Sequence, residues 1–63
     1  MRYFLNGYEV TRWNMAQYLS SVFGGNPEAL ISNFEQRAVN YFYCTGNLFY
    51  EEPCYGIAIE VLR

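Results

Sequence analysis

An α+β fold, a small antiparallel sheet packed against two consecutive helices, follows from three observations. Strand-forming runs bracket a tight-turn pair toward each end of the chain, at Asn6-Gly7 and at Gly46-Asn47. Between them, residues 11 to 39 carry apolar side chains at three- and four-residue intervals, the helical period. After Gly56 a two-residue alternation runs through Ile57-Ala58-Ile59-Glu60-Val61-Leu62. The resulting order is ββααβββ, and strands at both ends with helices between are best satisfied by one sheet covered on one side by the helix pair.

A chain of 63 residues is one domain spanning 1–63, and at this size only about 60% of the unfolded surface is hidden on folding. Large side chains compensate. Seven Tyr, five Phe and one Trp make 21% of the residues aromatic, and each ring buries roughly 150–250 Å².

Arg2-Tyr3-Phe4-Leu5 and Tyr8-Glu9-Val10 flank Asn6-Gly7, a pair suited to a type I′ turn because both residues tolerate positive φ. A two-residue loop pairs Leu5 with Tyr8, Phe4 with Glu9 and Tyr3 with Val10. Tyr3, Leu5, Tyr8 and Val10 then share the face expected to join the core, with Arg2, Phe4 and Glu9 on the other.

Thr11 is the expected N-cap of the first helix, accepting from the backbone N–H of residue 13 or 14. Its apolar stripe reads Trp13, Ala16, Leu19, Val22 and Phe23, and Gly24-Gly25 ends it. Asn26-Pro27-Glu28 starts a second helix with a capping amide, a proline where no N–H is needed and an acid beside the positive end of the helix dipole. Leu30, Ile31, Phe34 and Ala38 continue it.

The stretch from Asn40 to Tyr55 is expected to be a second hairpin, with Tyr41-Phe42-Tyr43-Cys44-Thr45 and Leu48-Phe49-Tyr50-Glu51-Glu52 on either side of Gly46-Asn47. Pairing across that loop assigns Phe42, Cys44, Phe49 and Glu51 to a core face, and Tyr43, Thr45, Leu48 and Tyr50 to an outer one. Glu52-Pro53-Cys54-Tyr55-Gly56 reads as a turn. In the strand that follows, Ile57, Ile59 and Val61 share a face.

Six Glu oppose four Arg, with no Lys, Asp or His, for a net charge of −2. Arg2, Arg12, Arg37 and Arg63 are far apart in the sequence, which argues against a nucleic-acid partner, because phosphate binding relies on clustered cations. Without His or Asp there is no triad, no imidazole base and no conventional metal cluster, so neither enzyme chemistry nor a cofactor or metal is expected. Adjacent strand positions point to opposite faces, which separates Glu51 from Glu52 as a carboxylate pair. No window resembles a signal peptide or a membrane span, so a cytoplasmic protein is expected, with Cys44 and Cys54 as free thiols and Cys44 in a buried apolar role.

The aromatic surplus carries the functional expectation. Tyr and Trp supply large, stiff contact area with a polar tip and are enriched where proteins bind one another. Tyr43, Tyr50, Leu48 and Tyr55, with Phe4 and Arg2 from the outer face of the first hairpin, are the candidate protein-binding residues. Covering an undersized core is the competing use of the same rings, and both uses stay open at this point.

The opening Tyr3-Phe4-Leu5-Asn6-Gly7-Tyr8-Glu9-Val10-Thr11 resembles the start of many very small proteins of bacteriophages and mobile elements of Gram-positive bacteria. Those begin with a strand, an Asn-Gly turn, a Glu-Val strand and a Ser/Thr helix cap. The resemblance ends there, since Tyr8 stands where such proteins place Lys, and Trp13-Asn14-Met15 where their first helix carries Glu and Lys. It implies inhibition of a host defence enzyme by direct binding, as anti-CRISPR proteins do, with a host nuclease or defence complex as partner. Two other classes fit the same residues: a single-stranded nucleic-acid binder that stacks bases on its rings, and a homodimer or larger self-assembly formed through a terminal strand edge.

Overall fold

The first hairpin folds in the register its turn dictates. In the computed structural model, which describes residues 1–61, β1 (Arg2–Leu5) pairs antiparallel with β2 (Tyr8–Val10) as Tyr3 with Val10, Phe4 with Glu9 and Leu5 with Tyr8. Asn6 and Gly7 both adopt positive φ, 51° and 87°.

Helix α1 (Arg12–Phe23) is capped by Thr11, whose side chain accepts from the Asn14 backbone N–H at 3.1 Å. Helix α2 (Pro27–Thr45) starts as its sequence requires, with the Asn26 amide oxygen accepting from the N–H groups of Glu28 and Ala29. The end of α2 departs from expectation. Tyr41-Phe42-Tyr43-Cys44-Thr45 forms its last turns rather than a strand, so the second hairpin is absent and the order is ββααββ.

Gly46 is the pivot of that correction. It adopts the left-handed conformation, φ 75° and ψ 1°, and its N–H donates to the Phe42 carbonyl at 2.7 Å, closing the helix as a C-terminal glycine does. Asn47 then turns the chain, its side chain accepting from the Phe49 N–H at 2.9 Å. The aromatic run is a poor guide here because strand propensity mostly measures fit to a half-buried pleated surface. The helical spacing of Ile31, Phe34 and Ala38 extends to Phe42, so a single long helix keeps one apolar stripe in register.

β3 (Phe49–Glu52), a 3₁₀ turn (Pro53–Tyr55) and β4 (Ile57–Glu60) complete the chain. Leu62, the last residue of the expected final strand, lies outside the described residues. Strand order is β2-β1-β4-β3, antiparallel throughout. β4 is therefore an inner strand, flanked by β1 and β3, and the free edges belong to β2 and β3. Among the described residues the last strand, β4, therefore offers no free edge of its own. Two turns meet at one end of the sheet, where the Asn6 N–H donates to the Gly56 carbonyl at 2.8 Å. Gly56 is at φ 69°, the left-handed region that favours glycine, and a β-carbon there would lie 2.2 Å from the Asn6 side-chain oxygen, which would have to move aside.

The core lies between the helices and one sheet face, built from Tyr3, Met15, Ala16, Leu19, Ile31, Phe34, Ala38, Ile57, Ile59 and Val61. The expected stripe of α1 is corrected at both ends. Met15 is fully buried, and Trp13, two residues and about 200° around the helix from it, is 69% exposed. Val22 and Phe23 remain 45% and 43% exposed, Phe23 packing against Phe34 and edge-to-face on Tyr55 at 4.8 Å. Tyr8 is on the core side by register yet 78% exposed, because β2 is an edge strand and α1 packs on β1. Cys44 is exposed rather than buried, and both cysteines are free.

Candidate protein-binding face

Register assigns the two faces of the sheet. Tyr3, Leu5, Val10, Tyr50, Ile57 and Ile59 point toward the helices, and Arg2, Phe4, Glu9, Phe49, Glu51, Ala58 and Glu60 point away. No element covers this second face among the described residues. Phe4 from an inner strand and Phe49 from an edge strand meet across Ala58 and Glu60 with ring centroids 5.7 Å apart.

Around the rings the face is charged. The Arg2 guanidinium lies over the Phe4 ring at 5.4 Å. It donates to Glu9 through Nε and Nη2, at 3.1 and 3.0 Å, and to Glu60 through Nη1 at 3.2 Å. The hydrogen bond to Arg2 holds the Glu9 carboxyl below its ordinary value, and Glu9 in turn raises Arg2. Beside Phe49 a shallow groove of about 350 Å³ opens, bounded by Phe4, Phe49, Pro53, Gly56, Ala58 and the Glu51 side chain.

The helix-facing side is closed by a different set of charges. Arg12, at the start of α1, binds Glu35 of α2 with two hydrogen bonds of 2.7 and 3.1 Å and Glu28 with one of 2.8 Å. The buried Tyr3 hydroxyl donates to the same Glu35 carboxylate, which ties β1 to both helices. Burial, followed by the bond to Glu35, pushes the Tyr3 phenol up to about 12. Burial works against ionisation of Glu35, but the hydrogen bonds from Arg12 and Tyr3 outweigh it and hold that carboxyl below its usual range.

These shifts predict how stability depends on pH. The unfolded chain loses the Tyr3 proton near 10.0 and the folded chain near 12, so this contribution is intact below pH 10 and disappears as pH rises through 12. Thermal melts at pH 8 and pH 11 should differ for the native chain, with about 1 kcal/mol of the loss removed by Tyr3→Phe, allowing for residual solvent screening. Equal slopes for the two proteins would show that the Tyr3–Glu35 bond carries no pH dependence. On the acid side, the Glu35 contribution is present above its unfolded value of 4.5 and falls away below it.

The six candidate residues do not form one surface. Arg2 and Phe4 are together on the uncovered sheet face. Tyr50, expected outside, faces the helices, packs edge-to-face on Tyr41 at 5.6 Å and donates to Glu52 at 2.5 Å. Burial and the bond to Glu52 raise its phenol. Tyr43 is 77% exposed on α2, its ring against Phe42. Leu48 is exposed in the connection to β3, where its carbonyl accepts from the Val61 N–H at 2.7 Å. Tyr55 is on the 3₁₀ turn, beside Phe23, and its carbonyl accepts from the Tyr18 hydroxyl. The shared hairpin face of Tyr43, Leu48 and Tyr50 is overturned because Tyr43 is helical.

Phe49 and Glu51 were expected on a core face and instead project from the uncovered one. The signal that would have found them is Gly46: once it caps a helix, Leu48-Phe49-Tyr50-Glu51-Glu52 must pair with Ile57-Ala58-Ile59-Glu60. Glu51 and Glu52 do point to opposite faces, and Glu52 accepts from Arg37 at 3.1 Å on the helix side. No group of three metal-ligating side chains occurs among the described residues, and no described helix is long and apolar enough to cross a membrane.

Compared with known proteins, the chain matches no family model, no curated protein and no solved structure.

Proposed function

We propose that this chain is a small non-enzymatic domain that binds another protein through the uncovered face of its sheet. Phe4 and Phe49 form the apolar anchor, and Arg2, Glu9, Glu51 and Glu60 form a polar rim. The supporting observation is the Phe4–Phe49 pair at 5.7 Å on a face that no helix covers. Aromatic anchors ringed by polar groups are the arrangement that carries most binding energy at protein interfaces. Arg2, Arg12 and Arg37 are each ion-paired with glutamates, which favours a protein partner over a nucleic acid. The phage-like opening directs the choice of target to host defence enzymes, with inhibition by direct binding as the mode.

Affinity capture from a Gram-positive host lysate tests the face. The native chain should retain a partner that Phe4→Ser with Phe49→Ser loses, while Tyr43→Ala still retains it. Circular dichroism on each variant confirms folding. Retention of the same partner by the folded double variant would exclude the sheet face as the contact.

A further inference from the structure

Resting on that docking face, we infer that the groove beside Phe49 receives an arginine side chain of the partner protein, its guanidinium stacked on Phe49 and paired with Glu51. The chain's own Arg2 supplies the precedent on the same face. There a guanidinium lies over Phe4 at 5.4 Å while Glu9 and Glu60 hold its N–H groups. The groove repeats these parts without the cation. Phe49 and Glu51 are two residues apart on β3 and so project side by side. Phe49 is 37% exposed, and Glu51 is exposed with no ion-pair or hydrogen-bond partner among the described residues.

Charge and shape select the occupant. Among the described residues, Glu9, Glu51 and Glu60 against Arg2 leave this face two charges negative, and no cation lines the groove. Phe4, Phe49, Pro53 and Ala58 give it a mostly apolar wall, with Asn6 the other polar side chain besides Glu51, which suits the methylene stem of a long basic side chain with the charged end at Glu51. A volume of about 350 Å³ is at the small end of ligand sites, a fit for one side chain rather than a large cofactor. Arginine is favoured over lysine because a planar guanidinium can stack on an aromatic ring and donate to a carboxylate in a fork at the same time.

Amide chemical-shift titration of the full chain with three blocked pentapeptides tests this. Each has alanines flanking a central arginine, citrulline or norleucine, the second matching arginine in shape without its charge. The arginine peptide should shift Phe4, Phe49, Glu51 and Ala58 and bind at least about 5-fold more tightly than the citrulline peptide. Glu51→Gln, a surface change that preserves the fold, should abolish that difference. Equal binding of the arginine and norleucine peptides at these amides would overturn the arginine assignment while leaving the docking face in place. No shift up to about 10 mM peptide, or shifts centred on Glu28 instead, would also overturn it. The capture experiment with Phe4→Ser and Phe49→Ser decides the docking face independently.

Discussion

Leu19→Ala is expected to lower the unfolding free energy by about 3 kcal/mol, the middle of the range for emptying a fully buried leucine site. Leu19 has no exposed surface and belongs to the cluster joining α1 to Ile31, Phe34, Ile57 and Ile59. In a domain of this size each kcal/mol moves the melting temperature by about 4–8 °C, so a fall of about 12–24 °C is expected. Val22→Ala on the same helix, at a residue 45% exposed, should cost less than about 1 kcal/mol. Thermal melts followed by circular dichroism measure both. Comparable losses at the two positions would mean that Val22 is packed in the core, as the stripe Trp13, Ala16, Leu19, Val22 and Phe23 suggested, and not at the exposed edge of α1.

Tyr41→Pro should be at least as damaging, at about 3 kcal/mol or more. Tyr41 lies inside α2, where a proline removes one helical hydrogen bond and its ring collides with the carbonyl four residues earlier. As the first residue of a strand the same substitution would be tolerated. Tyr41→Ala separates the two effects, because it deletes only the ring packed on Tyr50 and keeps the helix. Proline and alanine variants of equal stability and equal helical signal would restore the hairpin and displace the helix that ends at Gly46.

Both experiments bear on the places where local patterns were ambiguous. Trp13 satisfied the apolar spacing of α1 as well as Met15 did, and only the sheet's position beneath Met15 makes one buried and the other exposed. Gly46-Asn47 serves equally as a hairpin turn and as a helix terminator. The competition was settled by partners: β4 has one neighbour in β1 and one in β3, whereas a strand at residues 41–45 would have ended the stripe of Ile31, Phe34 and Ala38 short of Phe42 and given up the helical placement from which Tyr41 packs on Tyr50.

The sequence alone determined the parts governed by short-range chemistry. Asn6-Gly7 set the register of the first hairpin, Thr11 and Asn26 capped the helices, and the alternation of Ile57, Ile59 and Val61 marked a core strand. These depend on backbone φ preferences and on hydrogen bonds within a few residues. The uncovered face is a different matter. Phe4 and Phe49 are 45 positions apart in a chain of 63, and they meet because β4 enters between β1 and β3. Glu51 acquires its place beside that pair by the same insertion. Only the tertiary arrangement decided which aromatic rings became core and which became surface, because both uses draw on the same residue types and differ only in what packs against them.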